Sequence, residues 1–120
     1  MIVKRIVANI AADDVELGRR FYGDLLGLDC LMDQGWILTY GSEQSMTVQV
    51  SIATQGGSNA PVPDISIEVD DLDAALDRMR QAGIDVEYGP VSEPWGVRRF
   101  FVRDPFGKLV NLLAHTPSGH

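Results

Sequence analysis

Apolar positions along the chain change period twice, in the same order each time. Residues 2–10 alternate apolar and polar, the period of a strand with two unlike faces. Leu17, Phe21 and Leu25 then recur at helical spacing. After residue 63 the order returns. Ile65, Ile67 and Val69 alternate with Asp64, Ser66 and Glu68, and Leu72, Leu76 and Met79 form a second helical stripe. Asp13 and Asp14 stand at one helix start, Asp70 and Asp71 at the other. Carboxylates there accept from free backbone N–H groups and suit the positive end of the helix dipole. Gly27 and Gly83 follow where a left-handed C-cap is wanted. Shorter strands are expected near 28–33, 35–41 and 46–53, then near 85–91, 97–103 and 108–114. DPFG, Asp104 to Gly107, reads as a tight turn. The stretch 54–63, TQGGSNAPVP, is a Gly/Pro/Ser break that reads as a linker. The expected fold class is therefore α+β. Two βαβββ modules, about 1–53 and 64–116, make up one domain.

Alternation also assigns faces. Ile65, Ile67 and Val69 should pack on the helix, which leaves Asp64, Ser66 and Glu68 opposite. In the fourth strand Thr47, Gln49 and Ser51 lie opposite Met46, Val48, Val50 and Ile52. In the last strand Asn111 shares its face with Leu109 and Leu113. One reading is that these non-helix faces meet water. The other is that two curved half-sheets enclose a cup, and the leucines flanking Asn111 favour it.

Composition narrows the function classes. A net charge of −7, from 17 acidic and 10 basic residues, argues against a nucleic-acid partner. No apolar run suggests a membrane span. One cysteine, Cys30, excludes an intrachain disulfide and suggests a reducing cytoplasm. With no histidine near it to activate a thiolate, Cys30 reads as a small buried hydrophobe.

The stretches DDVELGRRFYGDLLGLD, DISIEVDDLDAALDRMRQAGIDV and RRFFVRDPFGKLVNLL resemble the vicinal oxygen chelate superfamily. That group holds glyoxalase I, bleomycin-resistance proteins, fosfomycin-resistance enzymes and extradiol dioxygenases. The turn, usually Asp-Pro-Asp-Gly-Asn in the family, is Asp-Pro-Phe-Gly-Lys here. The resemblance implies metal-ligand positions at Val7, Gln49, Asp64 and Asn111. Val7 cannot ligate, Gln49 and Asn111 offer neutral amides, and only Asp64 carries charge. No metal cofactor is therefore expected, and a weak oxygen site for a hard cation is the alternative.

Metal-free relatives bind planar aromatic antibiotics between aromatic side chains, which implies a small organic ligand. Trp36, Tyr40 and Trp95 are the aromatic candidates, joined by Gln49, Asp64, Arg99 and Asn111. Each taken alone reads more readily as packing, and Arg99 as the partner of Glu68, Asp64 or surface acids. The resemblance also implies a homodimer, in many relatives with swapped modules. The leading expectation is a metal-independent, small-molecule-binding protein that sequesters an aromatic antibiotic or metabolite. An enzyme is the alternative. It would be a lyase, isomerase or dioxygenase with atypical ligands, or a metal-free catalyst. For the last, Asp64 or Glu68 would be the base, its pKa raised by a partly apolar cup. A third reading is a dimerising or regulatory module whose cup is filled by side chains.

Overall fold

A computed structural model describes residue 5 and residues 7–44 and 50–116. The chain divides into two compact units, Met1–Thr54 and Gln55–His120.

In the second unit the elements run β3 (Ile65–Glu68), α1 (Leu72–Gln81), β4 (Val86–Glu93), β5 (Val97–Arg103) and β6 (Leu109–His115). This is the expected βαβββ order. The sheet order is β3-β6-β5-β4, with β3 parallel to β6 and the other pairs antiparallel. Helix α1 starts at Asp71, whose side chain accepts from Ala74 N at 3.0 Å. It ends at Gly83, with φ +77°, in a Schellman closure. Ile84 N donates to Met79 O and Gly83 N to Arg80 O, both at 3.0 Å. Leu72, Leu76 and Met79 are buried, as their spacing requires, and the helix lies against β5 and β6. Phe100, Val102, Val110 and Leu112 are fully buried. Register puts Phe100 beside Leu112 and Val102 beside Val110, so they share one sheet face. Arg98, on the same face, reaches Asp73 of α1 at 2.6 Å, which marks that face as the helix side.

The DPFG turn closes as expected. Gly107 N donates to Asp104 O at 3.1 Å, and the Asp104 carboxylate accepts from Phe106 N and Lys108 N. The carboxylate thereby satisfies two donors that the turn would otherwise leave unmade.

In the first unit a π-helical segment, π1 (Arg19–Leu25), precedes β1 (Asp29–Asp33) and β2 (Leu38–Gly41). Leu26 N donates to Phe21 O, five residues back, at 3.0 Å. Phe21 and Tyr22 are buried with their rings edge-on at 4.9 Å. Leu17, expected on the same stripe, is instead 53% exposed. Leu17 precedes π1, and helical spacing puts it on the stripe without supplying a surface to cover it. Strands β1 and β2 pair antiparallel with a register shift between Cys30 and Met32. Cys30 is exposed and not buried; β1 is exposed along its whole length, whereas β2 is half-buried with Tyr40 against Tyr22 of π1. Of the strands expected over 2–10 and 46–53, residue 5 and residues 7–10 and 50–53 are described, and these form no strand; the rest lie outside the described residues.

Candidate functional site

On the second unit's sheet the face away from α1 carries the polar residues. Parallel register sets Ser66 beside Asn111 and Glu68 beside Leu113, and antiparallel register sets Phe101 beside Asn111 and Arg99 beside Leu113. One strand further on, Tyr88 stands beside Phe101 and Glu93 beside Val97. This face is therefore a mosaic of aromatic, acidic, basic and amide side chains.

Its centre is an ion pair. Arg99 Nη2 lies 2.6 Å from Glu93 Oε2, and Arg99 Nε donates to the same oxygen at 2.7 Å. Their side chains are only 5% and 3% exposed. Tyr88 OH donates to Oε2 at 2.7 Å, and Ser58 Oγ donates to Oε1 at 3.0 Å. Burial by itself would push the Glu93 carboxyl up. Donation from Tyr88, Arg99 and Ser58, with the Arg99 charge, outweighs burial and holds it below its ordinary value. The guanidinium carbon sits 5.0 Å from the Trp95 and Phe101 ring centres and 5.2 Å from that of Tyr88. Three rings thus surround one cation. Trp95, in the turn between β4 and β5, keeps 51% of its surface exposed, so one side of the cage is open.

Residues 55–61 lie against the same face. Ala60 is buried with Phe101, Leu109 and Tyr88. Gly57 O accepts from Arg99 Nη2 at 3.3 Å. A Cβ on Gly57, whose φ is +88°, would come within 2.7 Å of the Trp95 ring. Only glycine fits there.

Asn111 is buried and turned to this face, the inward direction expected of it. Its Nδ2 donates to Ser66 Oγ at 3.1 Å, while its Oδ1 is buried without a protein partner. Turning the amide over would pair Oδ1 with the serine hydroxyl and leave the NH2 unpaired instead. An unpaired buried amide end costs about 1–3 kcal/mol, a cost that a ligand or a water would relieve.

The other expected site residues are dispersed. Asp64 is exposed, and its Oδ2 accepts from Leu109 N at 2.8 Å where β3 begins to pair with β6. Glu68 is also exposed and lies 2.9 Å from His115 Nδ1. Neither meets Arg99, which was expected to pair with one of them or with surface acids; its partner is instead the buried Glu93. Trp36 and Tyr40 belong to the first unit. Trp36 is 74% exposed. The Tyr40 ring stands 6.1 Å from that of Tyr22, and its hydroxyl is buried without a partner. Burial pushes the Tyr40 phenol up. Gln49 lies outside the described residues.

Glu93, Tyr88 and Ser58 were not anticipated. For Glu93 the signal was in the sequence: the short turn Pro94-Trp95-Gly96 sets it opposite Val97, and Arg99 follows two residues later on the same face.

The Glyoxalase/Bleomycin resistance protein/Dioxygenase superfamily matches residues 3–112, and the chain belongs to that superfamily. No curated protein sequence matches it. Among solved structures it is similar to TnmS3, an antibiotic binding protein from Streptomyces sp. CB03234, with TM-score 0.70 and 23% identity over 96% of this chain and 98% of that one. It is also similar to a member of the superfamily from Sphaerobacter thermophilus DSM 20745, with TM-score 0.67 and 23% identity over 95% and 98% of the two chains. A lactoylglutathione lyase from Agrobacterium tumefaciens gives TM-score 0.63 and 20% identity over 93% and 94%. Likenesses at these identities speak for the fold alone.

A divalent metal at the positions implied by the superfamily fits the described residues poorly. Val7 has no donor atom, Asp64 is engaged by a backbone N–H, and Asn111 offers one neutral amide. Among the described residues no group of three or more His, Cys, Asp and Glu is placed to hold a metal. Among them too, no helix is long and apolar enough to cross a membrane.

Proposed function

We propose that the protein binds a small, planar, aromatic molecule without a resident metal, and sequesters it as an antibiotic-binding protein would. One observation carries this reading: Trp95, half exposed, forms the open wall of a cage whose charged centre is already neutralised. Such a wall presents a flat apolar face with its polar neighbours fixed in place, which suits stacking. The unpaired end of the Asn111 amide, on the same sheet face, supplies a hydrogen-bonding group. The donor set at the superfamily's metal positions supports metal-free binding, and the similarity to an antibiotic binding protein is in keeping with the ligand class.

Catalysis by a carboxylate base is the weaker reading. Asp64 is committed to Leu109 N and Glu68 to His115. We also propose that the protein works in the cytoplasm as a homodimer. The exposed apolar side chains Leu31, Trp36, Val50 and Ile52 support pairing with a second copy.

Tryptophan fluorescence tests the reading. A panel of uncharged planar aromatics should include binders that quench the wild-type protein equally with and without a chelator. Trp95→Ala, measured by calorimetry because the reporting indole is gone, should weaken those binders by about tenfold, the worth of one good aromatic contact. Unchanged affinity in Trp95→Ala would remove this face from the function, and quenching that needs metal would overturn the metal-free reading.

A further inference from the structure

Resting on that reading, we infer that residues 55–61 form a displaceable strap that occupies the binding face as a stand-in for the ligand. The ligand is then an uncharged planar aromatic bearing a carbonyl acceptor and, a few ångströms away, a hydroxyl or N–H donor.

The strap presents that chemistry to the cage. Gly57 O takes a hydrogen bond from Arg99 Nη2 at 3.3 Å, Ser58 Oγ gives one to Glu93 Oε1 at 3.0 Å, and Gly57 lies against the Trp95 ring. A carbonyl, a hydroxyl and a flat contact thus come from two adjacent residues. A ligand carrying the same three features would satisfy the same donor, acceptor and ring. It should be uncharged, because Glu93 and Arg99 already neutralise each other at 2.6 Å and are almost fully buried. An added anion would face Glu93, and an added cation would face Arg99.

The strap is also built to leave as one piece. Gly56 N donates to Ala60 O at 2.7 Å, Ala60 N to Gly57 O at 2.9 Å, and Asn59 N to Gln55 Oε1 at 2.6 Å. These bonds stay within the loop, so they survive its displacement. Its ties to the rest of the unit are the Ser58 and Gly57 hydrogen bonds, the packing of Ala60 and the contact of Gly57 with Trp95. Ser58 and Asn59 both have positive φ, +51° and +61°, a conformation that ordinary side chains adopt at a cost. When the strap lifts, Glu93 loses the Ser58 donation but keeps Arg99 and Tyr88, and Arg99 keeps its three rings. The cage therefore stays assembled when the strap lifts.

The test uses 4-hydroxy-2-naphthamide, with 2-naphthamide lacking the hydroxyl and 1-naphthol lacking the carbonyl. Tryptophan fluorescence gives affinities, and the NOE between the Ala60 methyl and the Phe101 ring follows the strap. The full compound should bind more tightly than either control. Ser58→Ala and Gly57→Ala, which loosen the strap, should each tighten it about three- to tenfold by raising the fraction of binding-competent chain. The Ala60–Phe101 NOE should be lost when the compound is bound, because that contact ties the strap to the sheet. Equal or weaker binding in both variants, with the Ala60–Phe101 NOE kept, would overturn the strap while leaving aromatic binding intact through its loss in Trp95→Ala. No quenching in the wild type or in either strap variant would overturn both.

Discussion

The two units read alike in sequence and differ in what their apolar stripes find to pack against. In Gln55–His120, α1 sets Leu72, Leu76 and Met79 on a four-stranded sheet whose helix side is fully buried at Phe100, Val102, Val110 and Leu112. In Met1–Thr54, the π1 segment buries Phe21 and Tyr22, and the described sheet has two strands with Leu31, Met32 and Trp36 exposed. A stripe at helical spacing contributes stability only where a surface wide enough to cover it exists, and a two-stranded ribbon is marginal on its own. The ion pairs divide in the same way. Arg99–Glu93 is buried and anchored by Tyr88 and Ser58, whereas Arg19, bonded to Glu16 and Asp33, is exposed. Donation from Gly35 N–H, then from Arg19, holds the Asp33 carboxyl below its ordinary value, but solvent screens that pair.

The largest effect should come from breaking the buried pair. Arg99→Ala leaves Glu93 enclosed without its cation and should destabilise the protein by about 3–5 kcal/mol, read as a drop in the urea midpoint. Arg19→Ala should hardly move that midpoint. Equal effects would mean that the two pairs are equally solvated, and the contrast between the units would fail.

A smaller gap is expected between the stripes. Met79→Ala removes a fully buried side chain and should cost about 2–5 kcal/mol, because the cavity can collapse only in part. Leu17→Ala, at a half-exposed site, should stay within about 0.5 kcal/mol. Thermal unfolding of the two variants side by side measures the difference. A large loss in Leu17→Ala would indicate that a second copy covers it.

Much of the second unit was legible in advance because its signals agree with one another. The stripe of α1, the Asp71 cap, Gly83 and the DPFG turn each act within a few residues, so their outcome depends little on distant chain. The first unit carries similar signals with a different result at Leu17 and Cys30. Exposure there is decided by what covers the stripe and the ribbon, which local pattern does not encode. The site divides likewise. Asn111 faces away from α1, as alternation required. The partner of Arg99 was missed because several acids were available, and choosing Glu93 needed the register of the β4–β5 hairpin. The contact of residues 55–61 with the sheet had no local signal at all, since Gly/Pro/Ser composition reads the same whether a loop is free or folded back.

The finest comparison is between the two helix starts. Asp71 adopts extended backbone, φ −130° and ψ 94°, and its Oδ1 accepts from Ala74 N, three residues on. That satisfies one of the donors a regular helix leaves unpaired at its first turn. Asp14 accepts instead from Glu16 N, two residues on at 3.0 Å, in a turn that precedes π1. Asp71→Ala should therefore cost about 1 kcal/mol, and Asp71→Asn, which keeps the acceptor, should recover most of it. Asp14→Ala removes a bond within an exposed turn and should cost less than Asp71→Ala in the same urea titration. If the two alanine variants lost the same stability, Asp14 would be capping as fully as Asp71. The first helix would then begin as a regular α-helix, and the units would differ only in the sheets beneath their helices.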